Sequence, residues 1–273
     1  MKMVAAAKLK KAQDSVLNFR PYALKMQEIM SHVSSSLETE GNIFATERDN
    51  RQVLIVVITS NKGLCGAFNS NAIKEAVQLA ERKYSDHVPQ GKIRYLALGK
   101  KGYDMLRKRK VSLEVCNSEI VENPTYENVS EVAYSLMDNF SMGRYDSIDI
   151  VYNEFINAAT QKVVCKQFLP LLPEDNKADK RKKKVSQTDY IFEPNKEHII
   201  QEIIPQNLKL MLYQALLDSV ASEFGARMTS MHQATDNATT LIQELTLQYN
   251  KARQAAITNE ILEIVGGAEA LKG

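Results

Sequence analysis

The stretch FGARMTSMHQATDNATTLIQELTLQYNKARQAA, residues 224–256, carries an almost unbroken apolar stripe when read in alternating steps of four and three. The steps fall on Phe224, Met228, Met231, Thr235, Ala238, Ile242, Leu245, Tyr249, Ala252 and Ala256, and only Thr235 departs from the pattern. A repeat of about 3.5 residues keeps one face of an α-helix turned toward a partner helix, so the stretch predicts one strand of a coiled coil. The stripe extends back through Ala221, Leu217 and Leu210. An unbroken helix over 207–265 would span roughly 90 Å at ~1.5 Å per residue, several times the width of a small domain, and would have to project. Alanine and methionine fill many seam positions, which permits close, adjustable packing but a weaker grip than an Ile/Leu zipper.

The partner stripe lies at the other end of the chain. Steps of three and four give Leu9, Ala12, Val16, Phe19, Ala23, Met26, Met30, Val33 and Leu37, all apolar. Pro21 falls inside this helix, where it removes one backbone hydrogen bond and bends the axis without ending a helix that a neighbour braces. Beyond Ala256 the C-terminal stripe changes phase to Ile257, Ile261, Ile264 and Leu271, and Gly266 and Gly267 predict the end of the helix. The tip, turned away from its partner, implies a socket in another chain.

Between the two ends, strands and helices alternate. Strands are expected at 53–59, 93–98, 111–116, 147–152, 162–168 and 190–192, with helices near 72–83, 100–108 and 127–142. That order predicts a Rossmann-like, mainly parallel α/β domain with right-handed crossovers on both faces of the sheet. The chain divides accordingly into an N-terminal shaft helix (1–50), a central α/β domain (51–200) and a C-terminal shaft helix (201–273) that pairs with the first. Residues 174–187, with their KRKKK run, are expected to be a charged loop, solvated or touching an anionic surface.

The first strand leads into VLIVVITSNKGLCGAFNSNAIKEAVQLAERK (53–83), a strand, a glycine turn and a helix for which Asn69, Ser70 and Asn71 offer N-caps. Such a turn can hold a phosphate. Gly63 and Gly66, however, have neither the spacing of a P-loop with its Lys-Ser/Thr pair nor that of the dinucleotide fingerprint, so a docking turn is the better reading. No cofactor is expected.

Composition narrows the classes further. Thirty-five basic residues against 33 acidic ones give a net charge of +2, which makes no case for nucleic acid. No signal peptide is expected from the opening residues, and the aliphatic runs fall short of the ~20 residues that cross a bilayer, so no direct lipid insertion is expected. Cys65, Cys116 and Cys165 form no C-x-x-C pair, and His32, His87, His198 and His232 are never two within a helical turn. Neither a metal site nor a thiol switch is expected. G-x-S-x-G and H-E-x-x-H are both missing, and no catalytic residue is assigned.

The opening MKMVAAAKLKKAQ, the turn GLCGAFN and the long run ARMTSMHQATDNATTLIQELTLQYNKARQAAITNEILEIVGGAEAL closely resemble the gamma subunit of F-type ATP synthases. The resemblance implies a non-catalytic rotor in a proton-translocating enzyme. Its two long helices would form an antiparallel coiled coil that turns inside a ring of alpha and beta subunits, and its α/β domain would stand as a foot on the membrane rotor ring beside an epsilon-type subunit. It also implies the cytoplasmic face of a bacterial plasma membrane. Arg253 and Gln254 match the pair that catches a beta-subunit loop, and Lys62 a basic position near that interface. The family commonly has D-R-G-L-C-G where this chain has NKGLCG, and lysine offers a point charge rather than a fork. Tyr190, Phe192 and Glu193 in DYIFEP match the segment that meets the ring, with packing of an edge strand as the alternative role for the two aromatics. Ile257, Ile261 and Ile264 would form the shaft tip. Family members usually carry about twenty further residues before MKMVAAAKL. The competing readings are a static coiled-coil scaffold and a nucleotide-dependent α/β enzyme with helical arms.

Overall fold

A computed structural model describes residues 2–34, 43–46, 48, 52–86, 91–171 and 196–271. The chain forms two compact units, Met1–Met228 and Thr229–Gly273.

The first unit is built on β1 (Val53–Ile58), whose six apolar residues are all buried. It lies between β2 (Ile93–Leu98) and β3 (Ser147–Phe155), parallel to both, and β4 (Gln161–Leu169) closes the order β2-β1-β3-β4 by pairing antiparallel with β3. An uninterrupted β-branched run suits a strand covered on both faces, and β1 divides its side chains between two cores. Leu54, Val56 and Ile58 join Val129, Ala133, Leu136 and Phe140 of α5 (Tyr126–Ser141) and Leu208, Leu212 and Leu216 of α6 (Lys196–Ala270). Val53, Ile55 and Val57 face Ala72, Ile73, Ala76 and Leu79 of α2 (Phe68–Lys83), with Leu106 of α3 (Lys100–Lys108). The sheet is therefore covered on both faces, as the alternating order predicted.

Helix α1 (Lys2–Ser34) continues through Pro21. Leu9, Val16, Ala23, Met26 and Met30 of the expected seam are buried, with Ala12 and Phe19 half-buried. Val33 lies in the helix but its side chain is outside the description, and Leu37 lies outside the described residues. Lys8 Nζ sits 5.6 Å from the ring centre of Phe224, Val16 packs with Leu217 and Ala221, and Phe19 meets Tyr213 at 5.0 Å edge-on. Positions rise along α1 as they fall along α6, so the two helices run antiparallel.

Several boundaries differ from expectation. The last helix begins at Lys196 rather than near 207, takes in Pro205, and runs past Gly266 and Gly267 to Ala270. Glycine removes the β-carbon but leaves the helical hydrogen bonds available, so the pair weakens the helix without stopping it. The expected strand at 111–116 is reduced to isolated bridges along β2, Leu113 to Tyr95 and, just beyond it, Asn117 to Leu98, and a short helix α4 (Glu119–Glu122) follows. Helix α2 starts at Phe68 with Ala67 as a cap that offers no side-chain bond, so the expected N-capping by Asn69, Ser70 and Asn71 does not occur. The expected strand at 190–192 and the charged loop 174–187 lie outside the described residues. The hairpin between β3 and β4 presses on α6, where a β-carbon at Gly225 would stand 2.9 Å from the carbonyl oxygen of Ala158.

In the second unit the helix is half-buried at Thr229, Ser230 and Met231, and every residue from His232 to Leu271 faces solvent. Seam positions Ile242, Leu245 and Tyr249 are 64, 53 and 66% exposed. The part of the stripe that is buried runs from Leu210 through Leu217 and Ala221, below the stretch that first identified it.

Candidate functional site

In open α/β sheets ligands bind beyond the carboxyl ends of the strands where the strand order reverses, here between β1 and β3. At the neighbouring ends of β1 and β2 the chain itself takes up the donors that an anion would use. The first-turn amides of α3 are spoken for: Lys100 N donates to Asn61 Oδ1 at 2.9 Å, Lys101 N to the Ser60 carbonyl at 3.1 Å, and Gly102 N to Thr59 Oγ1 at 3.0 Å. Gly99, at φ +121°, lets the backbones touch, since a β-carbon there would lie 2.2 Å from the Thr59 carbonyl oxygen. A helix N-terminus holds an anion through free amides, and these three are already bonded.

The glycine turn has a different construction. Ser60 N donates to Asn69 Oδ1 at 2.9 Å, Ser60 Oγ donates to the Lys62 carbonyl at 2.7 Å, and Asn69 Nδ2 reaches Cys65 Sγ at 3.2 Å. Asn69 thus fastens the strand end to the helix rather than capping it. From α6, Arg227 Nη2 donates to the carbonyls of Lys62 at 3.0 Å and Gly63 at 3.3 Å, while its Nη1 is paired with the carboxylate of Glu223. Both side chains are largely buried, and burial pushes the Glu223 carboxyl up while Arg227 pulls it back. One guanidinium therefore ties the turn to the helix. Leu64, at φ 65°, holds a left-handed conformation and stands 63% exposed at the turn's tip. A bulky residue there is strained, and such strain persists only where the surroundings over-determine it. Glu223 and Arg227 carry no motif that singles them out; their i, i+4 spacing is the one signal in the sequence.

The predicted site residues fall in separate places. Lys62 sits in the clamped turn, its carbonyl bound and its residue exposed. Arg253, Gln254, Ile257, Ile261 and Ile264 belong to the exposed second unit, the three isoleucines at 47, 54 and 71% exposure. Tyr190, Phe192 and Glu193 lie outside the described residues. Burial raises all three cysteine thiols, that of Cys165 to about 11 with Glu75 adding to the effect, so they are held protonated and unreactive at neutral pH. Among the described residues no group of three or more metal-binding side chains converges, and no helix is long and apolar enough to cross a membrane.

Comparison with known proteins gives consistent matches along the whole chain. The family model described as ATP synthase matches residues 1–271. A protein of Flavobacterium johnsoniae named ATP synthase gamma chain is 52% identical over 274 residues, covering 100% of this chain and 92% of its own length. The protein of the same name from Cytophaga hutchinsonii is 46% identical, covering 99% of this chain and 92% of its own. Among solved structures, a chain from the central stalk and c-ring of the Tetrahymena thermophila mitochondrial ATP synthase superposes with a TM-score of 0.61 at 26% identity, over 86% of this chain and 97% of that one.

Proposed function

The chain belongs to the ATP synthase gamma-chain family, and from that premise we propose that its exposed helix turns as a shaft inside a ring of alpha and beta subunits. It is a non-catalytic subunit of the complex. The observation that carries the rotary reading is the second unit: a helix with Ile242, Leu245, Tyr249, Ile257, Ile261 and Ile264 all exposed. A run of large apolar side chains left in water marks a surface that another protein covers. A rotor changes the beta-subunit sites only if it makes different contacts in each orientation, so the sidedness of the helix is what does the work. Arg253 and Gln254 would catch a beta-subunit loop, Lys62 would lie near that interface, and the isoleucines would bear on the socket around the tip. The α/β unit would meet an epsilon-type subunit and the membrane rotor ring, on the cytoplasmic face of a bacterial plasma membrane, driven by proton flow through the ring.

Reconstitution with alpha and beta subunits tests this reading. The complete mixture should hydrolyse ATP in a way that drives rotation of this chain, and the chain alone should turn over none. A reconstituted ring that hydrolyses ATP while this chain stays fixed would return the static scaffold. ATP turnover by the isolated chain would return the nucleotide-dependent enzyme.

The foot is tested separately through DYIFEP. Replacing Tyr190 and Glu193 with alanine should loosen the complex from membranes at low salt, since each lost polar contact costs about 1 kcal/mol. ATPase activity of the soluble part should be unchanged. Unaltered membrane retention with unaltered proton pumping would mean that this segment does not meet the ring.

A further inference from the structure

Among the described residues of the first unit, two carboxylates are deeply buried without an arginine at contact, and they are treated very differently. Asp149, 2% exposed on β3, receives Lys83 Nζ at 3.0 Å and the hydroxyl of Tyr84 at 2.7 Å. Asp218, 3% exposed on α6, has an oxygen, Oδ1, that is fully buried with no hydrogen-bond partner. It lines a cleft of about 10 Å³ between α1 and α6, together with Val16, Phe19, Arg20, Gln214 and Leu217. That is room for about one water molecule, too little to hydrate a carboxylate. On the sheet side, Ser222, one helical turn on, donates its hydroxyl to the Asn153 carbonyl at 3.0 Å, and Asn153 Nδ2 is likewise buried without a partner.

The charged groups that face Asp218 come from each element packed against it: Arg20 from α1, Glu154 from β3 and Lys166 from β4. Lys166 is shared with Tyr152, lying 5.7 Å from the centre of its ring. Arg20 is exposed, and water weakens its pull. Among the described residues no cation forms an ion pair with Asp218 as Lys83 does with Asp149. A buried carboxylate in such a place lowers its energy by taking up a proton rather than by finding a counter-charge.

We propose that Asp218 is a proton-binding site in the α1–α6 seam, and that the seam is held more firmly with the proton bound. The ligand is a proton, and it converts the orphaned oxygen from a buried charge into a neutral group. Burial first, and Glu154 second, raise the Asp218 carboxyl to about 6, against the opposing pull of Arg20 and Lys166. The folded chain therefore binds the proton more tightly than the unfolded chain does. The penalty for the buried charge is full above the folded value and is relieved as pH falls through 6 toward the ordinary carboxylate range. The base of the helix pair is thus loosest at alkaline pH and tightens in mild acid, a dependence that rests on the α1–α6 packing alone and not on the rotary role.

The test is urea unfolding of the full chain, wild type and Asp218→Asn, between pH 8 and pH 5. The ratio of their folding constants, wild type over variant, should rise about tenfold over that interval. Because every other titrating group is common to both proteins, the ratio isolates this site. Amide exchange, corrected for intrinsic rates, should show protection of residues 9–23 growing with acid in the wild type and not in the variant. A ratio that stays flat would overturn the proposal. If the variant fails to fold, carbon-13 titration of the Asp218 carboxyl in the wild-type chain decides it: a midpoint near 6 supports the site, and one near 4 overturns it.

Discussion

Replacing Arg227 with methionine is expected to lower the stability of the folded chain by about 3 kcal/mol at neutral pH, the scale for breaking a buried ion pair by removing one partner. Methionine keeps the apolar stem along the helix but removes three things at once. The carbonyls of Lys62 and Gly63 lose their donor, the Glu223 carboxylate loses its counter-charge, and the turn loses its tie to α6. Glu223 cannot escape to water, since it is only 7% exposed, and Lys8 and Lys62 act on it more weakly than Arg227 does. Its carboxyl, already raised by burial, rises further, so the folded variant takes up a proton before the unfolded chain does. The deficit should therefore be full at neutral pH and shrink as the pH is lowered. The companion change Glu223→Gln separates the causes. If the stranded charge dominates, the double variant recovers most of the loss, and if the tie to the turn dominates, it recovers little. Amides of residues 62–68 should lose exchange protection in both variants. A single-variant loss below about 0.5 kcal/mol, within the range of an ordinary surface substitution, would show that the clamp carries no weight.

This clamp also marks where the sequence stops being legible. Strand β1 was readable because VLIVVI can lie flat only where both faces are covered, and β2 and α3 were readable to the residue for similar local reasons. Residues 111–116 also contain strand formers and do run along the open edge of β2, yet only Leu113 and the following Asn117 make bridges to it, because composition does not say how regularly a segment pairs with its neighbour. Asn69 resembles a cap, but a buried serine nine residues earlier in the chain gave it better hydrogen bonds. The heptad stripe predicted a helix pair and the resemblance an antiparallel one, which exists, but the same stripe runs on past the stretch that is buried. Periodicity reports which face is apolar, not how far a partner reaches along it. Arg227 and Asp218 were invisible for one shared reason: each acts through groups distant in sequence, Lys62 and Gly63 for one, Glu154 and Lys166 for the other. Arg253, Gln254 and the isoleucines of the tip stood out only by resemblance and by phase. Among the described residues their side chains make no hydrogen bond or ion pair that could have marked them.

That isolation makes Arg253 and Gln254 the sharpest place to test the rotor. Both are exposed on a helix whose backbone bonds do not depend on them, and the Gln254 carbonyl accepts the Thr258 hydroxyl at 2.8 Å whatever side chain residue 254 carries. Leucine at both positions preserves helix propensity, so the free chain should fold with a change of no more than about 0.5 kcal/mol. In the assembled complex the outcome should differ. A planar guanidinium with five donors grips carboxylates or carbonyls across an interface, and the neighbouring amide both donates and accepts. Losing both from one rotary orientation removes roughly 1 to 3 kcal/mol, the worth of hydrogen bonds to a charged group. If that orientation lies on the rate-limiting path, coupled turnover falls about ten- to a hundredfold. The measurement is ATP-driven proton pumping beside ATPase rate, for Arg253→Leu with Gln254→Leu, in complexes shown by mass to contain every subunit. A loss in both, with the chain's own stability unchanged, places the pair at the catch. Wild-type values for both would leave it as a solvated pair on the helix surface, and the exposed apolar face alone would then have to transmit the torque.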